Sequence, residues 1–139
     1  KINETFAIYD GVTNGALYTR LKNVDQNNVL NGLLPHNGLF IDTTDSIHDQ
    51  LFNAAQYVKD LYQTDLGIVL LHENEDVYLA MYDGEVLNVD TFKMTQSRNL
   101  LRSRSQNYAM IKLLKWFENR WLFFYCFKNK YVCSILYHL

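Results

Sequence analysis

Apolar and polar residues follow strand-like and helix-like patterns over the first half of the chain. The runs TFAIY (5–9) and GIVLL (67–71) are short, continuous and β-rich, which is typical of buried strands. NGALYTRLK (14–22) contains the second of two close-set glycines, Gly11 and Gly15, and predicts a short helix after it. Between 23 and 38, five asparagines, two glycines and the only proline indicate mostly loop, with one apolar run at 29–34.

The clearest helix is predicted over TTDSIHDQLFNAAQYVKDLYQ (43–63), where apolar residues recur at helical spacing. Asp45 or Ser46 is positioned to cap its free amides, and Asp49 suits the positive end of the helix dipole. The predicted buried stripe consists of Ile47, Leu51, Ala54, Ala55, Val58, Leu61 and Tyr62.

The second half of the chain predicts a hairpin and then a long helix. Asp83-Gly84 lies between the two β-rich runs of VYLAMYDGEVLNVDTF (77–92) and fits the positive φ angles of a tight turn. A helix is predicted from about Arg98 to Phe117. The order strand, helix, loop, helix, strand, hairpin, helix predicts a layered α/β/α domain with a mixed sheet.

The tail WLFFYCFKNKYVCSILYHL (121–139) consists of two apolar runs split by Lys128-Asn129-Lys130. It is too interrupted for a bilayer span, because both lysines would lie mid-membrane. Three interpretations are open: a β-hairpin added to the sheet edge, a strand exchanged with another subunit, or a divergent addition to the fold. We favour the extra apolar C-terminal hairpin.

Composition and charge exclude several function classes. The 139 residues are 48% hydrophobic and 20% charged, which is ordinary for one globular domain. A net charge of −2 gives no general attraction to nucleic acid or acidic membranes, so we expect neither as a partner. The two cysteines, Cys126 and Cys133, form no disulfide framework, and we expect a reducing, cytoplasmic setting.

Two motifs carry a resemblance to a known family. YDGVTNGALYTRL (9–21) aligns without gaps to A-E-S-x-T-G-G-L-x-A-x-R-L, the opening pattern of the CinA C-terminal domain family (competence/damage-inducible proteins), which includes nicotinamide-nucleotide amidases. SRNLLRSRSQNYAMIKLLKWF (97–117) is similar to the closing helix of that family. The resemblance implies a CinA-like α/β domain over 1–118, with 119–139 outside it. Matching positions are Thr13, Gly15, Leu17, Arg20, Leu21, Arg98, Arg102, Arg104, Ala109 and Leu113.

The sequence departs from the family pattern at the positions of the catalytic residues and of those that support them. Gly11 stands where active members have the catalytic serine, and Asp10 stands where they have glutamate. His36 lies roughly at the position of a supporting tyrosine, and the following lysine segment is deleted. Only HENED (72–76) replaces the T-G-I-A-G-P loop of the family. Glycine supplies no nucleophile, so we expect no intact catalytic residue; Asp10 and His36 are the remaining candidates.

The glycine loop has two interpretations. Free amides at a helix N-terminus bind anions, with Thr13, Asn14 and Gly15 as the contacts. Alternatively the loop is a plain turn, in which Asp10 would repel an anion. A further acid–base pairing of His36 with His48 is less favoured, because His48 is expected to be exposed. We interpret HENED as a solvated loop and expect no metal and no cofactor.

Together these observations predict a catalytically inactive, amidase-like module that binds a pyridine mononucleotide or acts in assembly, as a homo-oligomer. One alternative is an active amidase that converts nicotinamide mononucleotide to nicotinic acid mononucleotide through a rearranged site, with Asp10 or His36 activating water. Another is an unrelated small α/β interaction protein.

Overall fold

The computed structural model describes residues 4–24, 29–33, 42, 44–94 and 98–128. Within these ranges the chain forms five strands and three helices. In chain order the elements are β1 (Phe6–Asp10), α1 (Ala16–Val24), β2 (Val29–Leu33), α2 (Ile47–Tyr62), β3 (Leu66–Glu73), β4 (Asp76–Tyr82), β5 (Leu87–Lys93) and α3 (Arg98–Lys128).

The strands form one mixed sheet in the order β2-β1-β3-β4-β5. β1 is central among three parallel strands and pairs with β3 from Phe6 opposite Leu66 to Asp10 opposite Leu70. β4 and β5 continue the sheet as antiparallel hairpins, and the second turn contains the predicted Asp83-Gly84. The predicted mixed sheet is therefore confirmed.

Helices cover both faces of this sheet, which confirms the predicted three layers. Phe6 and Ile8 of β1 point to one face, where they join a core cluster with α1 and α3. Ala7 and Tyr9 point to the other face, where they join a cluster with α2. All five residues of β1 are buried, as expected for a central strand with helices on both sides.

Close packing of α2 on β3 depends on Gly67. A Cβ added at this position would lie 2.1 Å from the backbone oxygen of Ala55, which no neighbouring side-chain movement can relieve. The absence of a side chain at Gly67 therefore sets how closely the helix approaches the sheet.

The structure shows which residue caps the start of α2 and corrects the predicted burial of one residue near its end. Ser46, not Asp45, is the N-cap: its hydroxyl accepts from the amide of Asp49 at 3.2 Å. The predicted stripe is confirmed at its centre, but Leu61 is 50% exposed, so its predicted burial is wrong. In the last turn of the helix the next residue, Tyr62, packs against the core, whereas Leu61 lines the outer side with Asp60.

Two predictions of secondary structure are wrong. Val29–Leu33, predicted as part of a loop, is the strand β2 and pairs in parallel with β1. The first run of the predicted C-terminal hairpin is helical, because α3 continues for 31 residues to Lys128. The proposed boundary between 118 and 119 therefore falls inside a continuous helix. The second run of the predicted hairpin and the short apolar run GLFI (38–41) lie outside the described residues.

Candidate functional site

The candidate site is the loop of residues 11–15 that joins β1 to α1. It lies at the carboxyl end of β1, which is flanked by the parallel strands β2 and β3. This edge of an α/β sheet is where such folds place their ligands. Asp10 ends the strand, and the loop turns through left-handed backbone at Asn14 (φ 57°) and Gly15 (φ 92°) before the helix begins.

The Asp10 carboxylate organises this loop from within. The residue is only 2% exposed. Its Oδ1 accepts from the amides of Val12 at 2.9 Å and Thr13 at 2.8 Å. Its Oδ2 accepts from the amide of Gly15 at 3.2 Å and from the Thr13 hydroxyl. All four donors belong to the loop itself, so the buried charge is stabilised by local hydrogen bonds.

Thr13 connects this network to the start of α1. Its side chain donates to Asp10 and accepts from the amide of Leu17 at 3.0 Å, so it satisfies one of the orphan donors of the first helical turn. The Thr13 carbonyl also accepts from the amide of Ala16 at 3.3 Å. Thr13 is 5% exposed, so its polar groups serve the loop.

This geometry bears directly on anion binding. Of the three predicted contacts, Thr13 and Gly15 direct their amides at Asp10, which already supplies a negative charge. An incoming phosphate at these amides would have to displace that carboxylate against charge repulsion. Asn14 is exposed and lies at the surface of the loop. The arrangement favours a loop shaped by its own aspartate.

Gly11 is the exposed position at which the resemblance places a nucleophile. Its amide donates to the carbonyl of Leu70 on β3 at 2.7 Å, which continues the β1–β3 pairing by one residue. The backbone is therefore fixed at the correct edge of the sheet, but it carries no side chain that could attack a carbonyl.

Of the other predicted chemistry-bearing residues, those that the structure describes do not join this loop. His36 lies outside the described residues. His48 is in the first turn of α2, and its Nδ1 is 4.0 Å from the adjacent Asp49 carboxylate, both side chains being mostly exposed. HENED (72–76) is only partly a loop: its first two residues end β3, Asn74 and Glu75 form the turn, and Asp76 begins β4. Across the described ranges, no cluster of three or more His, Cys, Asp or Glu side chains has metal-binding geometry.

Two polar clusters involve α3, and the sequence did not predict them. Arg120 binds Glu4 bidentately, with Nε 2.7 Å from Oε1, and reaches Asp83 in the β4–β5 turn at 3.2 Å. The hydrogen bond to Glu4 raises the pKa of Arg120 despite partial burial. Tyr108 donates to Asp90 of β5, and this hydrogen bond raises the pKa of Tyr108 to about 12. Both clusters attach α3 to the sheet.

A hollow on the outer side of α2 is lined by residues of that helix alone. It is open to solvent and has no convergent polar groups from a second element, so it lacks the character of a ligand site. The lining residues are Asn53, Gln56, Tyr57, Asp60 and Leu61. In the part of the chain that the structure describes, no helix is both long and apolar enough to cross a bilayer.

Solved structures of CinA superfamily proteins share this architecture. The competence or damage-inducible protein from Enterobacter asburiae has a TM-score of 0.68 at 14% identity, covering 81% of this chain and 87% of its own. The CinA superfamily protein from Enterobacter cloacae has a TM-score of 0.66 at 13% identity, covering 81% and 82%. The Escherichia coli superfamily protein has a TM-score of 0.60 at 11% identity, covering 81% and 80%.

These likenesses confirm the predicted CinA-like α/β fold. No family model matches the sequence, and no curated protein matches it either. At these identities a shared fold carries no activity or ligand across, so the function is argued from the loop and its neighbours.

Proposed function

We propose that this chain is a non-catalytic module with a CinA-like fold, which acts in assembly and not in hydrolysis. The observation that carries the proposal is the closed hydrogen-bond network of Asp10. A hydrolytic site of the acyl-transfer type needs a nucleophile, a base and free donors for the developing oxyanion. Gly11 supplies no nucleophile, and the amides of Val12 and Thr13 are directed at Asp10.

The role of Asp10 also argues against the rearranged amidase. A general base must reach the proton it removes, directly or through one water. Both oxygens of Asp10 accept hydrogen bonds from its own loop, and the residue is buried. A water at Asp10 would therefore have to replace one of these loop donors.

The test is direct incubation of the full chain with nicotinamide mononucleotide, with detection of ammonia and of nicotinic acid mononucleotide. We expect no rate above a protein-free blank. Catalysis above that blank, lost in His36→Ala or in Asp10→Asn, would overturn the proposal and establish the rearranged amidase. A rate that both variants retain would overturn the non-catalytic proposal as well, unless it separates from the chain on further purification.

A second candidate is binding of a pyridine mononucleotide without chemistry. Its support is the position of the exposed residues Gly11 and Asn14 at the carboxyl end of β1, where α/β sheets bind ligands. Ligand-detected NMR with nicotinamide mononucleotide and nicotinic acid mononucleotide tests it. Asn14→Gly removes the side-chain amide without straining the left-handed backbone, and Asn53→Ala on α2 is the exposed control. Signals at millimolar ligand that only Asn14→Gly abolishes would support binding, and no contact would remove this candidate.

A further inference from the structure

One face of α3 remains exposed along five turns, although the opposite face is packed in the core. Three large apolar side chains lie on the exposed face: Leu100 is 47% exposed, Ile111 59% and Leu114 42%. Leu100 lies 11 residues before Ile111 and Leu114 lies three residues after it, which at about 100° per residue places all three within about 60° of one another around the helix. We call this surface the α3 outer stripe, and its residues are Leu100, Arg104, Asn107, Ile111, Leu114, Lys115 and Glu118, all of them exposed.

The pattern of the stripe is that of a helix with a second helix as its partner. Single exposed apolar residues are ordinary on protein surfaces. Here, however, apolar residues occupy three of the six stripe positions that alternate by four and three residues, on a helix that already buries Ala109 and Leu113 on its other side. A second apolar seam on a packed helix is typical of helix–helix association.

The charges on the stripe identify the occupant and its direction. Arg104 lies seven residues before Ile111 and Glu118 lies seven residues after it, about 10.5 Å in each direction along the axis. An identical helix that runs antiparallel, with a two-fold axis at Ile111, brings Arg104 opposite Glu118 of the partner subunit, twice. A parallel copy would instead oppose arginine to arginine and glutamate to glutamate.

A second pair obeys the same symmetry. Asn107 lies four residues before Ile111, and Lys115 lies four residues after it. An antiparallel copy therefore faces an amide with an ammonium group. Because the Asn107 side-chain oxygen already accepts from Arg20 of α1 at 2.6 Å, this second pair brings the ammonium group close to another cation, and the Arg104–Glu118 pairs alone set the antiparallel direction.

From this geometry we infer that the α3 outer stripe is the surface on which two copies of this chain associate, antiparallel about Ile111. The interface is isologous, because each copy offers the same stripe to the other. The inference rests on the assembly role proposed above and names its partner and its surface. It does not involve the β1–α1 loop, so the amidase assay does not bear on it.

A charge-reversal series measured by analytical ultracentrifugation of the full chain tests the pairing. Arg104→Glu and Glu118→Arg should each raise the dimer dissociation constant by about tenfold, because two opposite-charge pairs per dimer become like-charge pairs. The double variant Arg104→Glu/Glu118→Arg should restore wild-type association. Arg102→Glu is the matched control, since Arg102 is exposed on the same helix but lies outside the stripe. Circular dichroism verifies that each variant is folded.

Cysteine cross-linking locates the two-fold axis. Ile111→Cys, in a Cys126→Ser/Cys133→Ser background, should form a covalent dimer on oxidation, because a residue on the axis meets its own copy. Arg102→Cys should not.

The outcomes separate this inference from the proposal on which it rests. A wild-type chain that stays monomeric at high concentration would overturn both the stripe and self-assembly. If the chain dimerises but its dissociation constant is unchanged by the charge reversals and no cross-link forms at position 111, the α3 outer stripe is not the interface. The proposed assembly role would still stand. Rescue by the double variant together with cross-linking at 111 would establish the antiparallel interface.

Discussion

Asp10 and Asp83 make the same local hydrogen bonds in two very different surroundings. Each carboxylate accepts from the amides two and three residues further on: 2.9 and 2.8 Å for Asp10, and 2.9 and 2.8 Å for Asp83. Asp10 is 2% exposed and takes its remaining donors from its own loop. The side chain of Asp83 is 27% exposed, and its other oxygen meets Arg120 of α3 at 3.2 Å.

The difference separates a self-contained loop from a long-range contact. Asp10 fixes the shape of the β1–α1 loop with groups that all lie within six residues, so this loop needs no support from distant side chains. Asp83 instead shares Arg120 with Glu4, and this cluster joins the β4–β5 turn, the segment leading into β1 and the C-terminal third of α3. One aspartate therefore shapes the candidate site, and the other helps to position the long helix.

The strongest test of the self-contained loop is Asp10→Ala. It leaves the Thr13 hydroxyl and three amides without their acceptor, and each buried donor left unpaired costs about 1–3 kcal/mol. Partial access of water from the exposed side of the loop limits the total, so we expect a loss of about 3–5 kcal/mol in the free energy of unfolding. Urea denaturation followed by circular dichroism measures this loss.

Asp42→Ala is the matched control for that variant. Asp42 accepts from the amide of Thr44 at 2.9 Å and from its hydroxyl at 2.6 Å, but it is exposed. Water replaces its hydrogen bonds, so we expect a much smaller loss in the free energy of unfolding than for Asp10→Ala. If Asp10→Ala proves no more destabilising than Asp42→Ala, the carboxylate does not hold the loop together and the amides are open to an anion.

Arg120→Ala tests the long-range contact and should have the next largest effect. It leaves Glu4 and Asp83 without their shared cation in a site where the arginine side chain is only 20% exposed. We expect a loss of about 2 kcal/mol in the free energy of unfolding, below the range for fully buried pairs because solvent reaches the cluster.

Two variants sharpen the result at this position. Arg120→Lys keeps the charge but cannot reproduce the bidentate contact with Glu4, so we expect about half of the loss. Arg102→Ala removes an exposed arginine from the same helix and should change stability by no more than about 0.5 kcal/mol. Equal effects of Arg120→Ala and Arg102→Ala would mean that the cluster contributes nothing beyond a solvated charge.

The sequence predicted those parts of the fold that have strong local patterns. The α2 stripe shows clear helical periodicity, and the buried strands β1 and β3 are continuous β-rich runs. Asp83-Gly84 predicted where the β4–β5 turn lies, but the turn is wider than the predicted tight one: Tyr82 pairs with Leu87, and of the two turn residues only Gly84 has a positive φ. β2 is a five-residue strand that contains Asn31 and Gly32, and its identity as a strand depends on pairing with β1. The helical part of the tail was predicted as strand because two apolar runs are split by Lys128-Asn129-Lys130, whereas α3 continues through the first run to Lys128.

In the candidate site the residues could be predicted from the sequence, but their hydrogen-bond partners could not. The loop and its residues Asp10, Thr13 and Gly15 were predicted, but Asp10 was expected only to repel an anion and not to organise the amides itself. The hydrogen-bond partners within a loop depend on backbone angles that sequence does not determine alone. The Arg120 cluster could not be predicted, because Glu4 and Asp83 lie 116 and 37 residues away in the chain.

The smallest expected effect is a pH dependence that belongs to Asp83. Burial acts to raise the pKa of this carboxyl, but hydrogen bonds from the amides of Val86 and Glu85, together with the Arg120 guanidinium, outweigh burial and lower the pKa. An aspartate in the unfolded chain titrates near ~3.9. The contribution of Asp83 is therefore fully present above that pH and is lost as the pH falls through the lower folded pKa.

Asp83→Asn measures this contribution in urea denaturations between pH 6 and pH 2.5. We expect wild type to exceed the variant by about 1 kcal/mol at pH 6, and the difference to close in the acid range. In an Arg120→Ala background the gap at pH 6 should shrink, since one of the groups that lowers the pKa is gone. If the stability difference between wild type and Asp83→Asn stays constant with pH, or is unchanged in the Arg120→Ala background, Asp83 acts only within its own turn, as Asp10 does within its loop. The contact between Asp83 and Arg120 would then contribute nothing to stability.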